Sequence, residues 1–348
     1  MKVLRPHIAV YRLFDLADEI ALERLSSPRL KLSRPRSGAV HFENPPTQLD
    51  LGLRTLEGYS GPLVARLYDF GVAALSWRVF LGEEVEWDAL VEQALRLPEH
   101  PALDGFFLAE LEGLERYIAP ALLRPQEERI EEEFTVIHLL GVRPARPAGE
   151  LVAALDLAPV VLGEREAFAP EVRKELFRYT FSYSEEDLAV LGFDRVLIVD
   201  SEGIWDVAEL VEFAHAELVE LSYYDRVLTK ELEAVPEVLR QRGWRHFARF
   251  DRLRRRLMAR HAEIADVRAR MDSALRVTED LYYAKIYRAA LELYGAHEIE
   301  RAVAEKLEVL SETYSMLTEE IHNIRSQILE VGILTLILIE VIRAFVAD

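Results

Sequence analysis

The sequence predicts an α+β protein: an N-terminal α/β sandwich head followed by a long antiparallel helical hairpin ending in a coiled-coil and apolar tail. Three observations lead there. Short apolar runs bounded by Gly, Pro and Asp alternate with short helical patterns up to about residue 204. From residue 205 onward the text is helical, with few breaks. From Val303 to Phe345 apolar positions recur at alternating four- and three-residue spacing, the signature of a coiled coil. These divide the chain into a head over 1–204, a helical region over 205–294, and a heptad helix with an apolar end over 295–348.

In chain order, His7–Phe14 reads as a strand, and Asp15 as the N-cap of a helix in LADEIALERL. A Pro/Arg-rich loop covers Pro28–Pro35, and Gly38–Phe42 is a short strand. Leu63–Tyr68 and Val72–Leu81 are strands around the turn Asp69-Phe70-Gly71. Trp87–Leu95 is a helix and Phe134–Gly141 a strand, with Glu131–Glu133 a solvated edge before it. Arg173–Leu176 is helical, Arg178–Tyr183 and Arg195–Asp200 are strands, and a helix over Glu185–Leu191 lies between them. One long helix begins at Trp205, a second spans about Arg245 to Leu293, and Gly295 breaks it before a third.

The third helix carries the seam Val303, Leu307, Leu310, Tyr314, Leu317, Ile321, Ile324, Ile328, Val331, Thr335, Leu338, Ile342 and Phe345. Up to Gln327 the other positions are largely polar; beyond it almost every position is apolar. Ile328–Val346 holds 13 Leu, Ile, Val or Phe residues in 19. On an insertion scale these contribute roughly −6 kcal/mol, against about +3 kcal/mol for Glu340 near the middle. Two expectations stand side by side: a helix that enters a membrane, and a buried helix at an oligomer interface.

Charge and composition narrow the chemistry. The net charge of −19, from 42 basic and 61 acidic residues, excludes a protein that coats nucleic acid with its whole surface. Without cysteine there is no disulfide, no thiolate metal site and no Cys nucleophile. Arg outnumbers Lys 36 to 6, and Asn, Gln and Met are scarce, which fits a heat-adapted source. No phosphate-binding, dinucleotide, zinc-protease or serine-hydrolase motif is present. No catalytic residue, metal ligand, cofactor or small-molecule substrate is therefore expected. Asp187, Asp194, Asp200 and Glu202 read as turn and cap residues.

One basic stretch stands out. Arg242–Arg288 has 13 basic and 6 acidic residues, and Arg242, Arg245, Arg249, Arg252 and Arg256 recur at helical spacing. The stripe reads as contact with RNA phosphates or anionic lipid, or as a solvated face paired with Glu on neighbouring helices.

LEVLSETYSML (Leu307–Leu317), then Ser326, then LEVGILTLILIEV (Leu329–Val341) with Glu330 and Glu340 ten apart, resembles the "required for meiotic nuclear division" family. The opening strand with LADEIALERL, and Tyr68–Val72, are similar to the family's opening and to its Tyr-Gly-Val-Val strand. The resemblance implies a membrane-associated homo-oligomer without catalytic chemistry, whose organellar relatives support ribosomes and translation. The expectation is thus a non-enzymatic homo-oligomeric scaffold at the inner, cytoplasmic face of a membrane. The alternative is a soluble RNA- or ribosome-binding module using the Arg-rich helix, with the apolar tail as its oligomer core. A chain without an N-terminal export signal would keep its head in the cytoplasm.

Overall fold

The computed structural model describes residues 1–25, 32–33, 45–126, 129–166, 168–240, 255, 258, 262 and 280–346. The strands are β1 (Lys2–Leu4), β2 (His7–Asp15), β3 (Ala17–Ile20), β4 (Leu32–Ser33), β5 (Thr47–Leu56), β6 (Tyr59–Leu67), β7 (Val72–Phe80) and β8 (Glu84–Glu86). Helices α1 (Trp87–Arg96) and α2 (Leu103–Ile118) follow, then β9 (Leu122–Pro125), β10 (Glu131–Leu139) and β11 (Gly141–Arg143). Next come α3 (Ala148–Ala154), α4 (Ala158–Leu162), α5 (Pro170–Leu176), β12 (Thr180–Phe181), β13 (Leu188–Leu191) and β14 (Arg195–Val199). The long helices are α6 (Asp206–Arg240), α7 (Leu281–Leu293) and α8 (Ala296–Val346). The chain is mixed α and β, a many-stranded sheet region followed by helices. It divides into two compact units: Met1–Tyr223 with Met271–His297, and Tyr224–Arg270 with Glu298–Asp348.

In the first unit, the described residues form a nine-stranded sheet in the order β12-β13-β14-β10-β2-β7-β6-β5-β4. All neighbours are antiparallel except β10 and β14, which pair in parallel from Thr135–Arg195 to Leu139–Val199. That pair requires a crossover, and α3, α4, α5, β12 and β13 supply it. β2 lies in the middle and is buried on both faces, so HIAVYRLF reads as a continuous apolar run rather than an alternation. Ile8, Val10 and Phe14 join Leu75, Trp77, Ile137 and Leu197 on one face, under Leu90 of α1, Phe107 and Leu111 of α2, and Val160 of α4. Tyr11, Arg66 and Phe134 lie on the other, where α6 meets them, as does His138, which meets Ile204 and Trp205 just before that helix.

Two sequence-predicted helices are strands. Ala17–Ile20 pairs antiparallel with Leu122–Pro125, and only a single 3-10 turn follows at Leu22–Arg24. Asp15 ends β2 instead of capping a helix, its N–H donating to the Ile130 carbonyl. Tertiary hydrogen bonds overrule local helix preference here: Leu16 N–H donates to Gly71 O, and Ile20 N–H to Asp69 O. The approach needs a glycine. A Cβ at Gly71, whose φ is +100°, would stand 1.8 Å from the Ala17 carbonyl oxygen. Leu188–Leu191, placed in a helix by the sequence, is a strand hairpinned to β14 and buried throughout. The second long helix also differs in its described part. α7 starts at Leu281, capped by Asp280, whose carboxylate accepts from Tyr282 N–H at 2.7 Å. The expected strand Gly38–Phe42 and most of the Pro28–Pro35 loop lie outside the described residues.

In the second unit, Leu228 of α6 and Val303 and Leu310 of α8 are buried. Lys306 of α8 donates to Asp225 Oδ1 at 2.6 Å and to Thr229 Oγ1 at 2.7 Å.

Candidate functional site

Among the described residues, three places depart from ordinary packing. The first is a polar layer between the sheet and α6. Arg66 stands in the apolar strand Leu63–Leu67 and donates to Glu212 and Glu209, each at 2.5 Å. Tyr68 donates to the second Glu212 oxygen at 2.9 Å. Burial opposes charge on Arg66, but Glu212 and Glu209 outweigh it and hold the guanidinium protonated. Burial raises Glu209, with Arg66 acting against it. Tyr287 of α7 donates to Glu217 of α6. His215 is stacked between Phe134 and Tyr294, at centroid distances of 4.4 and 4.1 Å. Burial lowers its pKa to about 3, so it is neutral. His138 stacks on Trp205 at 4.5 Å, and its Nε2 lies 3.0 Å from Ile204 O. Burial brings its pKa down to about 4, so the neutral ring carries its proton on Nε2 and donates. Strongly perturbed ionisation accompanies active sites and buried ion networks alike. This layer ties α6 and α7 to the sheet. Sequence reasoning missed it, although an Arg within an apolar strand is a signal that a buried carboxylate faces it.

The second place is a cavity of about 360 Å³, lined by Leu4, Leu140, Val142, Leu151 and Val199, with Arg146, Glu185, Glu186 and Ser201 as its polar groups. It lies just past the carboxyl ends of the parallel strands β10 and β14, where α/β sheets commonly bind ligands. Beside it, Asp200 closes a turn by accepting from Glu202 N–H and Ile204 N–H, the turn role the sequence suggests. Asp187 accepts from Ser184 at 2.8 Å, and Asp194 lies 3.7 Å from Arg195 Nε. Among the described residues no group of three or more His, Asp or Glu is arranged to hold a metal ion.

The third place is the C-terminal end of α8. Of the seam residues, Val303 and Leu310 are buried and Leu307 is half-buried. Tyr314, Leu317, Ile321 and Ile324 belong to the helix. Ile328, Val331 and Leu338 are exposed, as are Glu330 and Glu340. From Ile328 to Ile342 eleven large aliphatic side chains have 45–67% of their surface exposed. Among the described residues no helix is long and apolar enough to cross a membrane. The transmembrane helix expected from the sequence is not found among the described residues, and Leu329–Val346 carries Glu330, Glu340 and Arg343. The stripe Arg242, Arg245, Arg249, Arg252 and Arg256 lies outside the described residues.

Fold and sites define an α/β head, with a cavity at its parallel strand pair, joined to long helices. The head fixes the family. Residues 5–205, more than half of the chain, match the family described as "Uncharacterized protein MJ0711, N-terminal domain", and the chain belongs to it. All the cavity's lining residues except Leu4 fall within that match. "Uncharacterized protein MJ0711" of Methanocaldococcus jannaschii is 26% identical over 191 residues, 54% of this chain and 58% of that relative. The chain thus covers somewhat over half of the relative's length. No solved structure matches. The C-terminal helix, which carries most of the resemblance described above, lies outside the matched segment.

Proposed function

We propose that this protein is a non-enzymatic homo-oligomeric scaffold in which α8 joins copies of the chain and the head recognises a partner. The observation that carries this is the exposed apolar stretch Ile328–Ile342, continuous in 4-3 spacing with the buried Val303 and Leu310. Burying an aliphatic side chain is worth about 1.5–3 kcal/mol, so eleven left in water strongly favour association. The seam supports other copies of α8 as the covering. At 100° per residue, Ile328, Val331 and Leu338 fall within an arc of about 80°, with Glu330 and Glu340 on the other side of the helix.

A second covering is favoured by the back of the same helix. Ile333, Leu336 and Ile337 lie opposite the seam and are exposed, more apolar surface than a two-stranded coiled coil needs. A lipid surface, or a bundle of more than two helices, would cover them. Light scattering and liposome flotation separate these roles. Replacing Ile328, Val331 and Leu338 together with Ser reduces the assembly to monomer. Replacing Ile333, Leu336 and Ile337 with Ser keeps the oligomer mass but abolishes flotation if lipid covers the back. An unchanged mass in the seam variant discards the scaffold reading.

A further inference from the structure

We propose that the cavity in the head binds a small cationic amphiphile, an alkylammonium whose apolar body fills the cavity while its charge stays at the mouth. The interior is apolar: Val142, Leu151 and Val199 are buried, with Leu4 and Leu140 beside them. The cavity, at about 360 Å³, is within the range of small-ligand sites. The polar groups set the sign of the ligand. Arg146, the cation of the lining, already faces Glu150 at 3.5 Å. Glu185 and Glu186 engage neighbours through their backbones, Glu185 O accepting from Ala148 N–H and Glu186 N–H donating to Ser184 Oγ. Among the described residues neither carboxylate has an ion-pair partner. The unused recognition capacity is therefore anionic.

The surroundings agree. Asp187 and Asp200 adjoin the lining residues Glu186 and Ser201 in sequence. Burial first, and then Asp187, Asp200 and Asp280, push the Tyr282 hydroxyl's ionisation upward. A cation entering here approaches a negative surface and keeps its charge near exposed carboxylates, so it avoids the cost of a bare buried ion. An anion of the same shape meets repulsion and finds Arg146 already engaged.

Calorimetric titration of the full-length protein with n-hexylamine, sodium hexanoate and hexan-1-ol at pH 7 tests this. Hexylammonium should bind saturably, at least about tenfold tighter than hexanoate, with hexanol between them. Replacing Glu185 and Glu186 with Gln should weaken hexylammonium about tenfold and leave hexanol unchanged. Ala145 is exposed and lines the cavity, so Ala145→Trp should block all binding without unfolding the head. Equal or tighter hexanoate binding, no binding by any probe, or undiminished binding in Ala145→Trp would overturn the proposal. The last of these also separates cavity binding from adsorption to the apolar end of α8, which that substitution does not touch.

Discussion

Arg66 occupies a place where elementary physics forbids an unpaired charge, and its neighbours answer that demand. Replacing it with Met leaves Glu209 and Glu212 in a buried layer without their cation. The expected loss is about 3–5 kcal/mol in urea unfolding, and adding Glu212→Gln should recover part of it. The neutral histidines set an acid limit. His215 ionises at an ordinary pKa of 6.5 when unfolded and near 3 when folded, so stability is full above 6.5 and lost as pH falls toward 3. His138 acts in the same direction down to about 4. His215→Phe should therefore shrink the stability difference between pH 7 and pH 4.5 by about 2–3 kcal/mol, read from urea midpoints. Asp15 has the opposite sign. Burial and then Asp18 hold its carboxyl protonated up to about 8. The unfolded chain ionises near 3.8, so the cost begins there and grows until about pH 8. Asp15→Asn should add about 4–5 kcal/mol at pH 7.5 and almost nothing at pH 3.

Among elements, those that declare themselves locally were legible. β2, β6, β7, β10 and β14 carry apolar runs with Gly or Asp at their ends, and α8 carries an unbroken periodicity. Those held by distant partners were not. β3 has the composition of a helix start, and its hydrogen bonds come from distant partners, β9 on one side and the β6–β7 turn on the other. β13 follows three acidic residues, Glu185, Glu186 and Asp187, that resemble a first helical turn, yet both of its faces are enclosed. The four-three spacing along α8 could be read from the sequence, and of its positions Val303 and Leu310 are buried. The cavity could not, because its lining comes from Leu4, from 140–151, from 185–186 and from 199–201, stretches that meet only in the folded sheet. A direct test of the β3 explanation is Gly71→Ala. The added methyl would meet the Ala17 carbonyl at a φ that disfavours alanine, so a loss of about 2–4 kcal/mol in thermal or urea unfolding is expected.

At the scale of the whole molecule, the first unit includes no residue of α8 beyond His297. A chain ending at Arg325 should therefore be monomeric in light scattering while its head melts within about 2 °C of the full-length protein. The sheet order has a further consequence, for synthesis. β2 lies between β7 and β10, so its two edges are closed by segments that reach Phe80 and Leu139. At roughly 5–20 residues per second, about 3–12 s separate the emergence of those two partners from the ribosome. During that interval one of the most apolar strands of the head has a single neighbour and an open edge, ready to pair with any other nascent strand. In a cell, this protein's yield should depend on what shields that edge until residue 139 is out, and slowing translation between residues 80 and 139 should send more of the chain into aggregates.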